Sequence, residues 1–242
     1  LEIAGENHKM IDLKGKTLIP GLIDGHAHFG SFSSQAIGAK ILPPPDAGAK
    51  DISTLINILK TWNTPENRAL TGWIFGMGFD DSVLEEKRFP TKHDLDQVST
   101  EFPIMIIHIS GHFAVVNSKG LELLNINSET KNPEGGIIRR MPNSMEPNGV
   151  LEELAAIPFY AKALTPASEE ALMKFMQAGQ EMALSYGYTT AQDHWLQLEI
   201  SAGLGKQGLD GDYNVFEITP SVQIGEWINM ELEVEYQAFD NW

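Results

Sequence analysis

The chain has 242 residues, a formal net charge of −16 and no cysteine. So acidic a balance excludes nucleic acid and anionic membrane surfaces as partners, since both are recognised through Lys and Arg. Without cysteine there is neither a disulfide nor a thiolate metal site, so any metal falls to His, Asp, Glu or a modified Lys. The length suffices for one large α/β domain with its own core. No apolar run is long enough to span a bilayer and no signal peptide is evident, so a cytoplasmic location is expected.

In chain order, Lys9 to Leu18 alternates around Ile11, Leu13 and Leu18, which predicts strands joined by a turn at Lys14-Gly15. After the Pro20-Gly21 turn signal, Gly21 to His28 reads as a strand, and Ala36 to Ala49, with Pro43-Pro44-Pro45, as a loop. Asp51 to Lys60 has apolar residues at helical spacing. Strands follow at Trp73–Phe79 and at Phe102–His108. The second is a near-continuous apolar run, as in a strand buried on both faces. Ser118 to Leu124 predicts a short helix, and Gly135 to Arg140 one arm of a hairpin.

Thr165-Pro166 followed by Glu169-Glu170 predicts a helix start, with a capping Thr, Pro at the first position and acids in the first turn. That helix runs to about Tyr186, where Gly187 stops it, and Thr189 to His194 reads as the next strand. Helix, glycine stop and strand make the rhythm of a parallel α/β fold. Val215–Ile218 and Leu232–Tyr236 are further strand candidates. Parallel strands are therefore expected at His26, Trp73, Ile104, Thr189 and Val215. The chain opens on Leu1 and stops on Trp242, and it reads as a piece of a longer protein.

The residues suited to chemistry stand at the ends of these strands. His26 and His28 are two apart, and residues i and i+2 of a strand share a face. Two imidazoles ~6–7 Å apart along a strand either converge on one divalent metal or sit unused in a surface loop. His108 ends the buried run and His112 lies just beyond. Each is a site residue or, alternatively, a ring bonded to backbone or solvent. Asp80 and Asp81 line a pocket or cap the next segment. Read locally, Glu152 and Glu153 are first-turn acids of a helix starting near Asn148. Asp193 and His194 close the Thr189 strand. No phosphate-binding glycine loop and no Gly-x-Ser-x-Gly elbow occurs, which leaves nucleotide binding and serine hydrolysis without support.

The run Asp12 to His28, with Leu18-Ile19-Pro20-Gly21-Leu22-Ile23-Asp24-Gly25-His26-Ala27-His28, resembles the opening signature of the amidohydrolase superfamily. The segments Gly72–Asp81, Arg88–Thr91, Asp94–Asp96, Ser110–Ser118, Asn132–Ile138 and Gly149–Glu153 are similar, in order, to its N-substituted formamide deformylase-like branch, amidohydrolase family 3. The likeness covers roughly residues 10 to 195. It implies an α/β fold: part of a metal-dependent (β/α)8 barrel over 20–242 with an insertion around 72–150, and a remnant of a small β-sandwich over 1–19.

The resemblance also implies hydrolysis of a C–N bond in an amide or N-substituted formamide-like small molecule. It makes His26, His28 and Glu153 ligands of a divalent metal, expected to be zinc as one or two ions. It supports a catalytic role for His112, while their places at strand ends make Asp193 a catalytic candidate and Asp80 and His108 candidates for substrate contact. The later histidines and late aspartate of the family have no match in this chain. The rival reading is therefore a catalytically incomplete piece or degenerate homologue that acts as a binding module. Association with the remainder of the polypeptide or with a second copy is expected, because an open parallel sheet leaves an unpaired edge.

Overall fold

A computed structural model describes residues 11–193 and the strands at 214–218 and 234–238; for those two strands and for residues 26, 27, 192 and 193 it describes the backbone only. In chain order the elements are β1 (Leu22–Ala27), α1 (Phe29–Ile37), β2 (Ala39–Lys40), α2 (Ile52–Trp62), α3 (Pro65–Arg68), β3 (Ile74–Phe79), α4 (Lys92–Asp96), β4 (Ile104–His108), β5 (Phe113–Val116), α5 (Ser118–Leu123), β6 (Gly136–Arg140), β7 (Pro147–Glu153), α6 (Ile157–Ala163), α7 (Glu169–Ser185), β8 (Tyr188–Asp193), β9 (Asn214–Ile218) and β10 (Val234–Ala238).

Among the described residues the strands form two sheets, ordered β2-β3-β4-β5-β7-β6 and β1-β8-β9-β10. In the first, β2, β3 and β4 are parallel and the other pairings antiparallel. In the second, β1 and β8 are parallel, while β9 and β10 continue antiparallel. The result is a mixed α/β fold.

The apolar run of β4 shows why the larger sheet is covered on both sides. Its side chains alternate. Ile104 and Ile106 join Ile74 and the α2 residues Leu55, Ile56 and Leu59 in one core. Met105 and Ile107 join Ala114, Val116, Leu151 and Phe159 in a second core on the other side. Helix α2 presents Ile52, Leu55, Ile56 and Leu59, an i, i+3, i+4, i+7 stripe. Asp51 caps it by accepting from Thr54 N–H at 2.6 Å. The Glu86 carboxylate accepts from Ile52 N–H at 3.1 Å and satisfies another open donor of the first turn.

The smaller sheet is tied together by α1 and α7. Strand β1 leads into α1 and α7 leads into β8, so parallel β1 and β8 carry a helix pair at their side. The turn between α7 and β8 places Gly187 at φ +86 and lets its carbonyl accept from Leu22 N–H at 2.9 Å. The two helices are in close contact at Gly179 of α7. A Cβ there would lie 2.1 Å from Ser33 Oγ and 2.9 Å from Ser33 Cβ. Ser33 is fully buried and its hydroxyl donates to Phe29 O, so it has nowhere to go. Gly179→Ala is therefore expected to destabilise the chain by about 1–3 kcal/mol, despite the better helix propensity of alanine. Denaturant midpoints check this, and Ser33→Ala in the same chain should recover part of the loss.

Four sequence expectations need correction. Residues 11–21 form no strand. Asp12 Oδ1 accepts from Lys14 N–H and Lys16 N–H reaches Leu13 O, making a turn. Ile11, Leu13 and Leu18 are exposed, and among the described residues no strand pairs with them. The expected β-sandwich remnant thus has no strand among its described residues, and 1–10 lie outside them. The segment 36–49 is not all loop: it holds the end of α1 and the two residues of β2, which pair with Gly76 and Met77. Helix α7 starts three residues later than its proline suggested. Ser168 is the cap, accepting from Ala171 N–H, while Thr165 donates back to Ala161 O. Finally, the Val215 strand is not a parallel strand; it runs antiparallel to β8. No described helix is long and apolar enough to cross a membrane.

Candidate active site

A cavity of about 480 Å³ lies where the C-terminal ends of β1, β3 and β4 converge. Asp24 and His28 line it from the first, Met77 and Gly78 from the second, and Ile107 and His108 from the third. Phe29 and Phe32 of α1 add apolar wall, and Gly111, Tyr188 and Ala191 are also among its lining. The carboxyl ends of parallel strands are where α/β folds place their ligands, because loops of free sequence meet there.

His26 and His28 stand at this end of β1. Asp24 pairs with Ala191 and Ala27 with Asp193, so three steps along β1 match two along β8. Such an irregularity breaks simple alternation and re-aims side chains, as bulges beside sites commonly do. His28 lies one residue past the strand, exposed, at the N-cap position of α1, and its ring does not cap the helix. For His26 and Asp193 only the backbone is described; Asp193 lies opposite Ala27.

The β4–β5 turn carries His108 and His112. His108 Nδ1 lies 2.8 Å from Ser110 Oγ and accepts from Ser110 N–H at 3.1 Å. Phe79, Phe89 and Phe113 surround the ring with centroids 5.2, 5.7 and 5.6 Å away. Its Nε2 is buried without a hydrogen-bond partner, 3.3 Å from Asp81 Oδ1 and 3.9 Å from Asp80 Oδ1. Ser82 holds the Asp80 carboxyl below the usual range, chiefly by its hydroxyl at 2.7 Å and also by its N–H at 2.9 Å. Asp80, Asp81 and His108 are the one group of three acidic or imidazole residues, among the described residues, whose ligand atoms all lie within 4.8 Å of one another.

His112 meets Glu153, 41 residues away: Nδ1 and Oε2 are 3.0 Å apart, and Glu153 N–H donates to His112 O at 2.9 Å. Glu153 ends strand β7 rather than opening a helix, at φ +50, a left-handed conformation uncommon for glutamate. Both side chains are exposed. Tyr160 of α6 pins the turn by donating from its hydroxyl to Gly111 O at 3.1 Å. Burial, reinforced by the Glu153 charge, pushes the Tyr160 phenol up to about 12. A phenol so shifted keeps its proton in the fold and loses it at about 10 in the unfolded chain. Stability is thus unaffected below about pH 10 and falls as pH rises from there towards 12. Alkaline unfolding monitored by circular dichroism should show this fall, and Tyr160→Phe should remove it.

The structure thus brings His28 and His108 to one cavity, Asp80 to His108, and His112 to Glu153. Sequence reasoning missed Asp24 and Tyr160 as neighbours of the site. Asp24 was detectable from its place two residues before His26; Tyr160 carried no signal, because its contact is made across 49 residues.

A family model described as the amidohydrolase family matches residues 9–217. The N-substituted formamide deformylase of Arthrobacter pascens is 33% identical over 153 residues, covering 63% of this chain and 27% of that protein. Protein LONG AFTER FAR-RED 3 of Arabidopsis thaliana is 28% identical over 194 residues, covering 78% and 31%. Among solved structures, an uncharacterized metal-dependent hydrolase from Pyrococcus horikoshii OT3 aligns with a TM-score of 0.48 at 24% identity, covering 71% of this chain and 30% of that one. The chain therefore spans about a third or less of the length of the proteins it matches.

Proposed function

Because the chain belongs to the amidohydrolase family, we propose that it acts as a metal-dependent hydrolase of a C–N bond in a small amide or N-substituted formamide, built on part of a (β/α)8 barrel. The observation that carries this reading is the convergence of β1, β3 and β4 on one cavity, with His28 at its edge. The cavity holds about 480 Å³ and has Phe29, Phe32, Met77 and Ile107 in its wall, which suits a small molecule with an apolar part.

His26 and His28 would hold the divalent cation, with Glu153. One oxygen of Glu153 is taken by His112 and the other is left for a cation. This donor set, imidazole and carboxylate with no thiolate, fits zinc and its borderline neighbours. When bound, such a cation polarises a carbonyl and acidifies water. The chain's own groups would do the rest. Water adds to the carbonyl carbon, the C–N bond breaks, and the water's proton passes to the departing amine. His112, with Asp193 at the end of β8, would move that proton. Asp80 and His108 would orient the substrate.

The test is amine release from N-alkyl formamides and simple carboxamides by the 242-residue chain, before and after chelation and with Zn²⁺ restored. Release that disappears with chelation and returns with Zn²⁺ is expected. No release from a folded, Zn²⁺-supplied chain would contradict the reading.

A further inference from the structure

Hydrogen-bond chemistry fixes the two histidines of the β4–β5 turn in different states. A backbone N–H only donates, and Ser110 N–H donates to His108 Nδ1 at 3.1 Å. Nδ1 therefore carries a lone pair, and in the neutral ring the hydrogen is on Nε2. That Nε2 faces Asp81 and Asp80 from inside the protein. At His112 the logic runs the other way. An ionised carboxylate only accepts, so the Nδ1 that lies 3.0 Å from Glu153 Oε2 must carry the hydrogen. The lone pair is then on Nε2, in a side chain 62% exposed.

We infer that His108 and His112 are held in opposite tautomers, which makes His112 Nε2 the reactive lone pair of this turn and makes Asp80–Asp81–His108 a cluster in which an imidazole N–H faces two carboxylates rather than a metal site. The cluster has the spacing of a cation site, but a cation on His108 Nε2 needs the lone pair of that nitrogen. Freeing it means moving the hydrogen to Nδ1, where it would point at Ser110 N–H. Phe79, Phe89 and Phe113 pack around the ring. At His112 the carboxylate orients the imidazole and leaves the lone pair of its far nitrogen facing outward. Glu153 then also positions His112, through the oxygen that is not offered to the cation. What His112 Nε2 acts on rests on the hydrolase reading; the tautomers themselves do not.

The test is a long-range ¹H–¹⁵N correlation spectrum of the full chain with ¹⁵N-histidine, at alkaline pH where imidazoles are neutral. His112→Gln assigns one ring, and through-space contacts with Phe79 and Phe113 assign the buried one without a substitution at His108. The expected pattern is hydrogen on Nε2 of His108 and on Nδ1 of His112. Glu153→Ala should move the His112 hydrogen to Nε2 and leave His108 unchanged, which a merely structural loss would not do. Added Zn²⁺ should leave hydrogen on His108 Nε2. The inference is overturned by a shared tautomer, by a His112 pattern indifferent to Glu153→Ala, or by Zn²⁺ displacing hydrogen from His108 Nε2. Absent hydrolysis with the predicted tautomers would count against the hydrolase reading and leave this one standing.

Discussion

Asn117→Ala is expected to lower the stability of the chain by about 3–5 kcal/mol. Asn117 is fully buried and uses its whole side chain. Its Oδ1 accepts from Ile104 N–H and from Gly120 N–H, each at 2.9 Å. Its Nδ2 donates to Ser99 O at 2.9 Å and Phe102 O at 3.0 Å. One amide thus caps α5, anchors the start of β4 and ties down the loop before it. Alanine leaves two backbone donors and two carbonyls short of partners in a site with little access to water, and each such group costs ~1–3 kcal/mol. Urea unfolding measures the effect. Asn117→Asp, which keeps the acceptors and loses the donors, should also destabilise. A loss below about 1 kcal/mol for alanine would mean that the loop and the strand are held in some other way.

His28→Ala is expected to reduce kcat/KM for amide hydrolysis by ~10²–10⁴, the scale of removing a group that acts on the reacting centre. Urea unfolding of the variant checks that the activity is lost without loss of the fold. The exposed His93 of α4 provides the control: His93→Ala should leave kcat/KM within about twofold. Equal activity for the two variants would remove His28 from the site.

The elements legible in the sequence were those whose residues carry their own signal. Ile104 to His108 announced a strand buried on both faces, because both of its alternating rows meet a core. Ile52, Leu55, Ile56 and Leu59 announced α2 by their spacing. Strand β2 was not legible, since two residues are a strand only through their pairing with Gly76 and Met77. Thr165-Pro166 is a sound helix start on local grounds, but Thr165 spends its hydroxyl on Ala161 O and Ser168 takes the cap. Ile11, Leu13 and Leu18 alternate as a strand should and form none, because alternation supplies a face and not a partner.

The site shows the same division. The positions of His28 and His108 near strand ends followed from local pattern. The meeting of His112 with Glu153, and of Tyr160 with Gly111, depends on β5 pairing with β7 and on α6 folding back across the turn. Which nitrogen of each ring carries its hydrogen depends on Ser110 N–H and on the Glu153 carboxylate, and no composition or spacing states that.

The cavity at the ends of β1, β3 and β4 as a metal-dependent active site is tested most directly by anomalous diffraction at the zinc edge, from crystals of the full chain grown with Zn²⁺. The predicted result is a peak beside His26 and His28 at the end of β1, with none on Asp80, Asp81 and His108. A peak on that cluster, or crystals of the folded chain with none near β1, would contradict it.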